Sequence, residues 1–151
     1  MRHRLICRAA LLAFAVLAAA TLSPPAVTAG ETETTATDAD NGVVAYYFHG
    51  NKRCSTCRKL EAYSAEAITG GFAAELDSGE LEWRVVNIDE EANAHFITDF
   101  ELVTKSVVLV EYRGGDIVRF KNLKLVWQLV GDEDGFVRYV RDETRDFLAE
   151  G

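Results

Sequence analysis

Two thiols three residues apart, Cys54 and Cys57, are the pair in this chain whose type and spacing suit chemistry. At the first turn of a helix that spacing lets the sulfurs bond, and it places Cys54 where free backbone N–H groups and the helix dipole favour an anion. Thiolate is the reactive form, so the position favours reaction. Cys57 shares the apolar stripe of Leu60, Ser64 and Ala67, whereas Cys54 falls at the lip. The reading is that Cys54 attacks a disulfide and Cys57 resolves the mixed disulfide. Arg53 and Arg58, with Lys52 and Lys59, bracket the pair and should favour the thiolate further. Solvated cations act weakly, however, so they could equally be plain surface charges. The hydroxyls of Ser55 and Thr56 could bond a thiolate or simply suit a helix start.

Two other uses of the same residues stay open. Cys54 and Cys57, joined by His49, could hold a soft metal such as copper(I) or zinc, or trivalent arsenic, although two thiolates are too few for a closed zinc site. Alternatively the disulfide merely locks a helix start in a structural or adaptor domain, where its short loop limits the stabilisation. His49 is also readable as a loop residue or a base, and His95, beside Phe96, as a surface or core-edge residue.

The elements that must position the thiols are legible as changes of period. Val43 to Phe48 is a β-branched and aromatic run suited to a strand covered on both faces. Polar residues His49 to Arg53 follow, and from Cys54 the residues Cys57, Leu60, Ser64, Ala67 and Ile68 fall on one helical face until Gly70-Gly71 interrupts it. Leu81, Trp83 and Val85 begin a second strand that runs through Ile88. Glu90 to Phe100 reads as a helix with acids at its start. Val107 to Tyr112 and Asp116 to Phe120 read as strands of a hairpin turning at Gly114-Gly115. Leu123 to Val130 and Gly135 to Leu148 read as helices, the latter turning Val137, Val140, Thr144, Phe147 and Leu148 inward. The expected fold is α/β, a central mixed sheet in β-α-β-α-β-β-α order, with one additional short helix, flanked by helices.

The ends and the charge place this domain in a compartment. Arg2, Arg4 and Arg8, an apolar run from Ala9 to Leu22 and the exit Val27-Thr28-Ala29 have the three-part pattern of a secretory signal. The run is 14 residues where a span needs about 20, and Pro24-Pro25 ends it, so stable membrane insertion after cleavage is not expected. Residues 1–29 are thus read as a signal, 30–41 as a flexible acidic linker and 42–151 as one domain. An exported chain, periplasmic or extracellular, meets oxidising conditions. Cys7 would leave with the signal, so no third thiol remains to scramble the pair. Loss of three arginines takes the formal charge from −8 to −11, which argues against a nucleic-acid partner.

These residues resemble the thioredoxin superfamily along nearly the whole mature domain. The strand with Cys54-Ser55-Thr56-Cys57-Arg58 resembles its redox strand and motif, and Val86-Asn87-Ile88-Asp89 its second core strand. Tyr46-Tyr47-Phe48-His49-Gly50-Asn51, Thr104-Lys105-Ser106-Val107-Val108 and Lys121-Asn122-Leu123 are similar to a bacterial thioredoxin-like family labelled nitrophenyl compound nitroreductase subunit ArsF. That label implies nitro-group reduction or a link to arsenic genes. The sequence has no G-x-G-x-x-G nucleotide loop and no evident flavin or nicotinamide site, so no cofactor is expected and electrons would come from a redox partner protein. The resemblance assigns supporting places to Lys105 and Ser106. It also marks three departures from ordinary thioredoxins: Ser-Thr between the cysteines, Tyr47 and Phe48 where an acid would stand, and Lys105 in place of a cis-proline. A cis bond before a non-proline residue costs about 3 kcal/mol, so the Thr104–Lys105 peptide is expected to be trans. The lysine is expected to turn to solvent, since ordering it costs rotamer entropy.

Overall fold

A computed structural model describes residues 40–151; the expected signal at 1–29 and nearly all of the expected linker lie outside the described residues. The first strand, β1 (Asn41–His49), starts at the last residue of that linker. Asn41 is drawn in because it pairs with Arg113 and its side-chain oxygen accepts from the Gly114 N–H at 3.0 Å.

From Val43 to His49 every residue of β1 is buried, as the unbroken apolar run demands. Val43, Ala45 and Tyr47 face one side and Val44, Tyr46 and Phe48 the other, each set within its own core. Helix α1 (Ser55–Gly71) buries Cys57, Leu60, Ser64, Ala67 and Ile68, the stripe read from the sequence. A short α2 (Ala73–Ser78) follows, then β2 (Leu81–Asn87), parallel to β1. Strand β3 (Ser106–Arg113) runs antiparallel to β1, and β4 (Asp116–Asn122) antiparallel to β3. Gly114 and Gly115 make the turn with φ of 62° and 83°, the left-handed region that glycine enters without strain. The sheet order is β2-β1-β3-β4, the expected central mixed sheet.

Two helical expectations shrink. In place of a helix over Glu90–Phe100 there is a 3-10 turn at Glu91–Asn93 and one α turn, α3 (Phe96–Asp99). The Asn93 amide donates to the Asn87 carbonyl and to Glu90 Oε2, both at 3.0 Å, and this local bonding competes with a continuous ladder. Leu123–Val130 reduces to α4 (Val126–Leu129), because the Leu123 N–H is spent on the Val107 carbonyl at 2.9 Å and so extends strand pairing. The last helix, α5 (Glu133–Ala149), is capped by Asp132, whose carboxylate accepts from the Gly135 N–H. It buries Val137, Val140, Thr144 and Phe147 as expected, adds Phe136, and leaves Leu148 only partly covered.

Helices α1 and α5 pack together over one face of the sheet. The other face is covered by the segment around α3, which places Phe96 and Phe100 against Tyr46 and Phe48. Strand β4 is an edge whose Ile117, Val118 and Phe120 are 42%, 48% and 41% exposed.

Candidate functional site

The disulfide sits where β1 hands over to α1. Cys54 is the N-cap residue of α1, with extended backbone, and its Sγ accepts from the Cys57 N–H at 3.2 Å. One of the free donors at the helix start is therefore aimed at the sulfur of Cys54. Cys57 lies one turn in, with a Cα–Cα distance of 5.1 Å across the disulfide that joins the two. Cys54 is exposed, whereas Cys57 retains 2% of its surface. One sulfur faces solvent and the other faces the core.

The loop before Cys54 is pinned to the end of β2. The Ile88 N–H donates to the His49 carbonyl at 2.8 Å, the Asn51 N–H to Asp89 Oδ2 at 2.7 Å, and the Asn87 amide to Asn51 Oδ1 at 2.8 Å. Gly50 makes this approach possible, since a Cβ there would lie 2.8 Å from the Asp89 carboxylate. Asn87 and Asp89 appeared in the sequence only as an Asn-x-Asp strand end. Their work as anchors of the thiol loop needed the strand register to be known.

Arg53 is not free beside the thiols: it pairs with Glu61 of α1 and donates to His49 Nε2 at 3.2 Å. Since a guanidinium only donates, the His49 Nε2 accepts, and the proton falls on Nδ1, which donates to the Gly50 carbonyl at 3.0 Å. Burial, with Arg53 adding to it, holds the His49 ring below its usual pKa, against opposing pulls from Gly50, Glu90 and Asp89. This histidine is a neutral loop brace. Among the described residues no three His, Cys, Asp or Glu side chains gather as a metal set. Arg58 turns back to donate to the Arg53 carbonyl at 3.4 Å.

Tyr47 lies beneath the pair; the sequence placed it in the buried strand, where an acid was expected, and gave it no partner. Its hydroxyl donates to the Cys57 carbonyl at 2.6 Å. Burial pushes its pKa up to about 12, so it remains a neutral donor. The signal that could have found it is the alternation of β1, which turns Tyr47 under α1, where a buried phenol requires a partner.

Ser106 opens β3, and Lys105 immediately precedes it. Ser106 is buried opposite Phe48, and its hydroxyl turns back to the Thr104 carbonyl at 2.9 Å. Lys105 is half-buried, and its carbonyl accepts from the Trp127 indole N–H at 2.9 Å. Lys105 is among the lining residues of two cavities that share the 103–105 segment, and neither includes a cysteine.

Compared with known protein families the chain matches none, and no curated protein matches it. Among solved structures it is similar to thioredoxin f2 of Chlamydomonas reinhardtii, at 13% identity and a TM-score of 0.35, over 60% of this chain and 78% of that one. The strand order, the pairing directions and the helices packed on the sheet make this an α/β domain with a central mixed sheet. Its site is a CxxC disulfide at the start of α1.

Proposed function

We propose that this protein is an exported thiol–disulfide oxidoreductase acting on a disulfide of a partner protein. The asymmetry of the pair carries the reading: an exposed N-cap sulfur that accepts a backbone N–H, three residues before a buried one. The Cys54 thiolate attacks a partner disulfide, forming a mixed disulfide and releasing one partner thiolate. The Cys57 thiolate then attacks Cys54 Sγ, closing the intramolecular disulfide and releasing the second partner thiolate. Two electrons pass to the partner, whose two thiolates take up protons, and a second protein dithiol restores the reduced pair. In the reverse direction the disulfide seen here accepts the electrons.

Arg53 and Arg58 serve this reading by holding the loop, and Lys105 and Ser106 by bordering it. Export rests on the basic, apolar and small-residue order of residues 1–29, and intact mass from the native host tests it. Membership of the bacterial family labelled nitrophenyl compound nitroreductase subunit ArsF rests on the motifs around Tyr46–Asn51, Thr104–Val108 and Lys121–Leu123, which lie at the end of β1 and the thiol loop, at the start of β3 and at the end of β4.

The experiment is trapping on the mature protein. Cys57→Ser should accumulate mixed disulfides through Cys54, and Cys54→Ser none. The reduction potential against glutathione should lie above about −300 mV, since exposed disulfides are more oxidising than structural ones. A lower potential, with no trapped species, assigns the bridge a purely structural role.

A further inference from the structure

A cavity of about 750 Å³ lies beside the Lys105 loop, between the end of α3 and the start of α4. Its volume falls in the range of small-molecule sites. Its walls include Phe100, Phe120, Val126 and Trp127. The aromatic walls are held in place: Phe100 and Phe120 meet edge to face at 5.3 Å, and the Trp127 indole is tied to the Lys105 carbonyl.

The charge around this cavity is opposite to that of the chain. Three lysines, Lys105, Lys121 and Lys124, line it against a single carboxylate, Glu101, in a protein of formal charge −8. Lys121 is paired with Glu143 at 2.5 Å. Among the described residues, Lys105 and Lys124 form no ion pair. Two lysines that form no ion pair therefore stand in the lining beside fixed aromatic walls.

We infer that this cavity is a binding site for a small planar aromatic anion, a carboxylate or sulfonate, whose ring stacks among Phe120, Trp127 and Phe100 and whose charge is met by Lys105 and Lys124. Aromatic faces favour a flat ring, and lysines free of ion pairs in the lining select an anion over a neutral analogue. The site is separate from the thiol exchange: the cavity contains neither cysteine. It shares with the thiol neighbourhood the segment 103–106, of which Val103, Thr104 and Lys105 also wall a second cleft against Gly50, Asn51 and Lys52.

The test uses the oxidised mature protein with 2-naphthoate and its neutral counterpart 2-naphthamide, read by calorimetry and by backbone amide shifts. Saturable naphthoate binding is expected, with shifts confined to residues 100–106 and 120–127, and naphthamide about tenfold weaker. Lys105→Gln combined with Lys124→Gln should erase that preference while leaving the disulfide and the fold intact. Trp127→Ala should weaken both probes alike. Equal affinity for the two probes, shifts centred elsewhere, an unaltered preference in the double lysine variant, or no saturation at millimolar probe would each overturn the assignment.

Discussion

The two ends of strands β1 and β3 are built differently. At the C-terminal end of β1 the chain turns into an exposed loop and an exposed sulfur, braced by hydrogen bonds donated by Asn87 and Ile88 and accepted by Asp89. At the opposite end, Glu111 of β3 is buried at 6% exposure, with Arg113 on one carboxylate oxygen and Arg119 on the other, both at 2.5 Å. Arg119 continues to Glu150 and to the Phe147 carbonyl, and it lies 3.8 Å over the Phe147 ring. The far end thus carries a buried carboxylate shared by two arginines. The reactive end has one partly exposed ion pair, Arg53–Glu61, and is otherwise held by hydrogen bonds that leave a sulfur accessible.

The largest effect should come from breaking the reactive end alone. Cys54→Ser should reduce exchange with a disulfide substrate to background, measured by insulin turbidity or a fluorescent disulfide peptide, while its urea midpoint stays within the range of the reduced wild type. A midpoint collapse comparable to that of a core variant would show that the two ends are not independent.

Next in size is Glu111→Ala. Stripping a buried carboxylate from two arginines costs about 2–3 kcal/mol, at or below the low end for a fully enclosed pair because Arg113 is exposed. Urea unfolding should show that loss with the thiol reaction rate unchanged. The acid limb of stability follows from the same site. The Arg119 hydrogen bond first, and Arg113 after it, hold the Glu111 carboxyl below its ordinary 4.5 despite burial. A depressed folded value means that its contribution is complete above 4.5 and is lost as pH falls through the folded value. Glu111→Gln should flatten the stability profile in that acid window, and an unchanged slope there would refute the assignment.

The smallest effect sharpens the comparison from beneath the thiols. Tyr47→Phe removes one buried donor and should cost about 1 kcal/mol. The folded value, raised from 10.0 to about 12, means that the stability Tyr47 contributes is present below 10 and is lost as pH rises from 10 towards 12. The difference between wild type and Tyr47→Phe should shrink across that alkaline window.

What could be read from the sequence was what depends on period. β1 and the stripe of α1 are continuous patterns, and Gly114-Gly115 signals its own turn. The pair Cys54 and Cys57 announced itself by spacing and by its place after a buried strand. What escaped depends on partners distant in the chain. Asn93 breaks a helix by bonding back to Asn87, and Leu123 gives its N–H to Val107. Arg53 read as an activating cation until Glu61 and His49 claimed it. Trp127 and Lys105 meet across 22 positions, and no local pattern encodes such a contact.

Strand β4 carries a hazard that its own charges contain. One of its sides has no neighbouring strand, and Ile117, Val118 and Phe120 stand partly bare along it, a template onto which another chain could add. Arg119 and Lys121 interrupt the apolar sequence, and Glu150 and Glu143 of the C-terminal segment fasten both in place. Two cations are thus fixed to an open border. Replacing both by valine would leave five consecutive apolar residues there, and light scattering at neutral pH should then rise with time while the parent protein stays clear.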